Sequence, residues 1–185
     1  MSLVPYPDQS QLCDEARDAL AQAPVLLNIF KMMANAETCI VPVTRLGGAI
    51  LGRQKLDAKL RELVILQVAH IEGGEYEWIQ HVPIAISVGA TPAQIDAIKN
   101  QALDSPSLTP LERLTMRFTE QVINRVKADE NTVRELMQLL SPREIVELIF
   151  TIGFYMMAAR LTETTRTDLD PPAGTKVLDA LKRQP

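Results

Sequence analysis

The chain has 185 residues, 46% apolar and 23% charged, with a formal net charge of −4. That balance fits a single globular domain with enough apolar side chains for a core, and with no basic stripe it offers no electrostatic footprint for nucleic acid. Aromatics are only 4%, so the core must be built from Leu, Ile, Val, Ala and Met, which suits helix packing better than a sandwich or barrel.

Residues 1–24 read as an N-terminal extension. Met1–Ser10 has no basic region followed by an apolar block, so no signal peptide is expected there. Cys13 and Cys39 form neither a C-x-x-C nor a metal-ligand spacing. They are expected to be buried or half-buried free thiols in a reducing, cytoplasmic compartment, with a disulfide between them left open. Leu26, Leu27, Phe30 and Met33 predict a helix near 24–36. A second is expected over about 38–52, with Gly47, Gly48 and Gly52 marking close packing or its end. Leu60, Leu63, Val64, Leu66 and Val68 predict a helix from Asp57 to Glu72, stopped by Gly73-Gly74. The next runs from Glu75 to about Val88 and ends at Gly89.

Three later starts share one device: Thr91-Pro92-Ala93-Gln94, Thr109-Pro110-Leu111-Glu112 and Ser141-Pro142-Arg143-Glu144. Each places a hydroxyl at N-cap, Pro at N1 and Glu or Gln at N3, so each can form a reciprocal capping box. The helices they announce are expected over 92–101, 110–127 and 142–163, with another over 130–139. Apolar runs are broken by charge or glycine well short of about 18 residues, so no membrane span is expected. After Asp170 a loop and a short helical end are expected. No period-2 strand stands out, so the fold class is all-α: a domain over 25–165 and a tail over 166–185. Thr91 and Ser141 lie 50 residues apart, and Asp57 and Thr109 lie 52 apart; this echo suggests a duplicated multi-helix unit.

Only two histidines exist, His70 and His81. Glu77 and His81 are i and i+4 on one helix, so they share a face. A carboxylate beside an imidazole fixes its tautomer and favours its charged form, giving a proton donor or acceptor near neutral pH. Glu62, 19 residues before His81, lies among Leu60, Leu63, Val64 and Leu66. A carboxylate pointing into that inter-helix space needs a partner, and His81 suits. The plainer reading is a solvated Glu–His pair, with Tyr76 and Trp78 as ordinary core aromatics. His70, beside a helix end, reads as solvated or dipole-stabilising.

The segments Arg61–Ala69, Gly73–Ala85 and Ser87–Ile95 resemble the carboxymuconolactone decarboxylase and alkylhydroperoxidase D-like family, and Leu108–Arg160 is similar to its longer members. The resemblance implies a helical fold that assembles as a dimer, trimer or hexamer, with Glu144–Ala159 as a subunit-joining helix. The peroxidase branch carries a Glu, a C-x-x-C and a His; here Glu62 and His81 match, but Gly74 and Glu77 stand where the thiols would be. Peroxidase chemistry by that route is therefore not expected. The decarboxylase branch implies acid–base work on a small lactone acid, in a setting of aromatic-compound breakdown. His81 would then be the proton donor or acceptor, Glu77 and Glu62 would orient it, and Tyr76 and Trp78 would line the pocket. No metal or organic cofactor is implied. Arg61 and Arg160 are the candidate cations for a charged substrate. The alternatives are a peroxide-consuming antioxidant protein using Cys13 or Cys39, and a non-catalytic ligand-binding oligomer.

Overall fold

In a computed structural model, residues 1–23, 25–176 and 179 are described. They form helices only: α1 (Asp14–Ala21), α2 (Asn28–Met33), α3 (Glu37–Arg53), α4 (Ala58–Glu72), α5 (Glu75–Ser87), α6 (Pro92–Lys99), α7 (Pro110–Arg125), α8 (Glu130–Met137) and α9 (Pro142–Thr165). The expected all-α class holds.

α4 is the axis of the bundle. It packs against α5, α6, α7 and α9, and every residue from Leu60 to Ala69 is buried. A helix buried all round carries apolar side chains on every face. Leu63, Val64, Ile65 and Leu66 have no exposed surface, and burying each such side chain stabilises by about 1.5–3 kcal/mol. Three polar side chains share this stretch, Arg61, Glu62 and Gln67, and each needs a partner inside.

The local signals act as the sequence predicts at most ends. Asp57 accepts from the Leu60 amide at 2.9 Å, and Thr91, Thr109 and Ser141 all form complete capping boxes. Gly73 ends α4 at φ +69°, a left-handed conformation that costs other residues more than glycine. The Gly74 amide then bonds back to the Ala69 carbonyl at 2.8 Å, turning α5 tightly against α4.

Several expectations need correcting. Residues 14–21 of the presumed extension form a helix, packed on α3 through Ala16 and Leu20. The helix expected near 24–36 starts only at Asn28, because Leu27 is extended and Leu26 points outward. Of the two roles expected of the α3 glycines, close packing holds at Gly47 rather than a helix end there. Gly47 admits the Phe154 ring, which would lie 2.9 Å from a Cβ there. Both cysteines are free but exposed, rather than buried or half-buried. α9 does have the length and apolarity of a membrane span, because its glycine and its flanking charges interrupt it less than expected. Within the fold, Ile145, Leu148, Ile152, Tyr155, Ala158 and Ala159 bury along it, which is the burial of a core helix. The echo between the two sets of caps does not extend to helix lengths: 15, 13 and 8 residues follow in α4–α6, but 16, 8 and 24 in α7–α9. Residues 166–173 form the expected loop, while the short helical end lies mostly outside the described residues.

Candidate active site

A cavity of about 900 Å³ lies between α1–α3 on one side and α5 and α9 on the other. Tyr76, Glu77, Gln80, His81 and Ile84 line it from α5, and Phe154, Tyr155 and Ala158 from α9. An otherwise aromatic-poor chain thus places Phe30, Tyr76, Phe154 and Tyr155 around one space.

Glu62 stands behind this wall with no exposed surface. Its Oε2 is 2.8 Å from His81 Nδ1, and its Oε1 accepts from Arg61 Nε at 3.2 Å. An isolated buried carboxylate is costly; a guanidinium and an imidazole on its two oxygens offset that cost. The bond also orients the ring. Nδ1 carries the proton shared with Glu62, so in the neutral imidazole Nε2 is the free, basic nitrogen. Nε2 has no hydrogen-bond partner among the described residues, and His81 lines the cavity. Tyr155 sets the ring from its other side, edge-on at 4.8 Å and 87°.

Glu77 is placed differently from expectation. It shares the cavity wall with His81 but does not bond the imidazole. Its carboxylate turns toward α9, where both oxygens lie 3.2 Å from Thr162 Oγ1. The space it uses exists because residue 74 is glycine: a Cβ there would stand 2.8 Å from Glu77 Oε2 and 2.9 Å from the Ala159 Cβ. The two positions that match a C-x-x-C are therefore neighbours in space, one vacant and the other filling the vacancy. Burial raises the Glu77 carboxyl above the ordinary carboxylate range, while the Thr162 hydroxyl and the His81 charge pull it back in part. The histidine is thus flanked by one carboxylate held between a guanidinium and the imidazole itself and another that burial drives toward its acid form. Such a division of environments is how one site supplies both a base and an acid.

Tyr76 forms the cavity's far wall with its hydroxyl engaged, donating to the Asp170 carboxylate and accepting from the Ile29 amide at 3.3 Å. Gln80 extends the same attachment to the backbone of Asp170, Pro171 and Ala173. Trp78 does not line the cavity. It sits on the opposite face of α5, against the main core and 6.5 Å from the His70 ring. Neither expected cation reaches the space. Arg61 is buried behind Glu62, and Arg160 pairs with Glu72 on the surface at 2.9 Å. Arg45 and Arg53 of α3 line the cavity instead, without an ion-pair partner among the described residues. Sequence reasoning missed them because α3 gives no hint of which neighbour it covers. Tyr155 and Thr162 were missed for a similar reason, since both sit at inward positions of α9 that read as ordinary core. Cys13 and Cys39 do not line the cavity. Among the described residues no cluster of three His, Cys, Asp or Glu side chains is placed to hold a metal ion.

Residues 42–121 match the model of the carboxymuconolactone decarboxylase family, a span that holds Glu62, Glu77 and His81. Among solved structures, the chain is similar to an uncharacterized peroxidase-related protein from Ralstonia eutropha JMP134, an alkylhydroperoxidase AhpD core. The TM-score is 0.77 at 17% identity, covering 96% of this chain and 95% of that one. A peroxidase-related protein from Silicibacter sp. TM1040 matches with TM-score 0.74 at 19% identity, over 93% and 92% of the two chains. A debrominase in complex with 2,3,4-tribromopyrrole matches with TM-score 0.73 at 16% identity, over 98% of each chain. These likenesses show the fold. A search of curated proteins gives no match.

Proposed function

We propose, on the footing of the match between residues 42–121 and the carboxymuconolactone decarboxylase family, that the cavity of this chain performs acid–base chemistry on a small organic acid. The observation that carries the reading is the buried 2.8 Å bond between Glu62 and His81 Nδ1, with the rest of the ring turned to an open cavity. His81 Nε2 takes or gives the proton, and Glu62 stabilises the imidazolium formed in between. In a decarboxylation the C–CO₂⁻ bond breaks, carbon dioxide leaves, and the electron pair stays on the substrate as an enolate. A proton from the His81 imidazolium then closes the carbon, and solvent restores it. Glu77 is the second proton reservoir, and Arg45 and Arg53 supply charge for the acid group. This reading needs no thiol, which agrees with glycine and glutamate at positions 74 and 77 and with Cys13 and Cys39 lying away from the cavity.

We also propose self-association through α9, in a cytoplasmic setting. Val146, Ile149, Phe150 and Met157 are exposed along one side of that helix, an apolar stripe of the kind that joins subunits. Light scattering that gives a monomer at micromolar concentration removes this part.

The main test is carbon dioxide release from a panel of small carboxylated lactones and β-keto acids. His81→Gln should lower turnover by about 10²–10⁴-fold, the usual scale for a general acid–base group. Full turnover by that variant sinks the assignment.

A further inference from the structure

We propose that Tyr155 is a catalytic hydrogen-bond donor, its hydroxyl holding the substrate oxygen on which negative charge develops while His81 moves the proton. The inference rests on the acid–base reading and goes beyond it, because acid–base groups alone leave the enolate oxygen without support.

The chain has three tyrosines, and two of them set the standard for the third. The Tyr6 hydroxyl donates to Asp168 at 3.1 Å and accepts from the Asp168 amide at 3.0 Å. The Tyr76 hydroxyl bonds Asp170 and the Ile29 amide. Tyr155 is only 5% exposed, yet its hydroxyl has no partner among the described residues. A tyrosine buried for packing alone ordinarily finds one. The hydroxyl is also not sealed in the core, since among the described residues the one buried side-chain polar atom without a partner is Thr115 Oγ1, while Tyr155 lines the cavity. Tyr155 thus brings a spare donor to the cavity wall that it shares with His81, with the two rings in edge contact at 4.8 Å.

The environment fixes which way the hydrogen bond runs. Burial, and then the nearby Glu62 charge, hold the phenol well above its ordinary value. Tyr155 therefore stays an O–H near neutral pH and donates rather than takes protons. A preorganised donor contributes most where charge appears during the reaction. Glu62 is already committed to His81 and Arg61, so it does not compete for that hydrogen.

The test is Tyr155→Phe, which keeps the ring and its contact with His81 and removes only the hydroxyl; circular dichroism melting checks that the fold is retained. Two readouts are needed. The first is kcat and KM for carbon dioxide release on the same panel: kcat should fall about 10²–10³-fold, the scale for loss of one such donor, with KM nearly unchanged. The second needs no turnover. 4-Nitrophenolate serves as a stand-in for an enolate and its binding is followed by its absorbance shift; Tyr155→Phe should bind it about tenfold more weakly, a loss worth roughly 1.4 kcal/mol. If His81→Gln is inactive while Tyr155→Phe keeps both kcat and nitrophenolate affinity, the donor role is overturned and the acid–base reading stands. If His81→Gln stays active, the acid–base reading falls, and the nitrophenolate readout alone decides whether Tyr155 holds an oxyanion.

Discussion

Two buried carboxylates in this molecule invite comparison, Glu62 on α4 and Glu112 on α7. Glu112 is saturated. Its oxygens take Gln94 Nε2 at 3.0 and 2.9 Å, Lys59 Nζ at 2.7 Å and the Thr109 amide at 2.7 Å. None of these residues lines the cavity that His81 faces, and Gln94 and Lys59 tie the starts of α6 and α4 to that of α7. Glu62 has one partner on each oxygen, and one of them is not saturated: His81 uses Nδ1 and leaves Nε2 toward open space, beside a tyrosine with a free hydroxyl. Burial of charge thus marks both places. Spare hydrogen-bonding capacity at a cavity wall separates a working site from a structural pin.

The same substitution in the two places should break in opposite directions. Glu62→Gln should cost turnover by about 10²-fold or more per folded molecule, because His81 loses the group that fixes its tautomer and stabilises its charge. Its carbon dioxide release, normalised to the folded fraction, checks this. Glu112→Gln should leave turnover unchanged and lower stability by about 1–3 kcal/mol, the cost of leaving buried donors poorly matched, measured by urea unfolding. Burial pushes the Glu112 carboxyl up, but Lys59 and the Thr109 donors outweigh it and hold it below its ordinary value. The stability it contributes is therefore present at neutral pH and is lost as pH falls through that lowered value. The gap between wild type and Glu112→Gln should close in acid.

Gly74→Ala sharpens the account of Glu77. The new Cβ meets the Glu77 carboxylate and the fixed Ala159 Cβ, so stability should fall by about 1–3 kcal/mol, as in other overpacked sites. A melting temperature equal to the parent's would mean that the cleft at residue 74 is not filled as described. The smallest effect is expected of Glu77→Gln. Burial raises the Glu77 carboxyl, so the stability of its neutral form is fully present below the ordinary carboxylate range and lost as pH rises through the raised value. The variant should match the parent in acid and melt progressively higher than the parent as pH approaches neutral, followed by thermal melts across that range.

Much of the fold was legible because it is written in local chemistry. The three hydroxyl–proline boxes and the Gly73-Gly74 stop place helix ends without help from tertiary contacts. α1 was not legible: it is eight residues long, its N-cap Cys13 makes no side-chain cap, and its stability comes from packing on α3. The site was partly legible. Glu62 among leucines had to point inward, and a nearby imidazole was the natural partner. The direction of Glu77 was not, because i,i+4 spacing brings two side chains to one face without deciding between His81 and a hydroxyl arriving from α9. Trp78 failed for the converse reason, since adjacency in sequence to Glu77 puts it on another face of the same helix. Tyr155 carries no local signal at all; only the packing of α9 on α5 brings it to His81.

The account turns on the tautomer of one ring, and ¹⁵N NMR reads it directly. With two histidines in the chain, a His70→Gln variant leaves His81 as the sole imidazole signal. In its neutral form the prediction is a protonated Nδ1 and a bare Nε2, with the preference lost in Glu62→Gln. A protonated Nε2, or a spectrum that Glu62→Gln does not change, would contradict it.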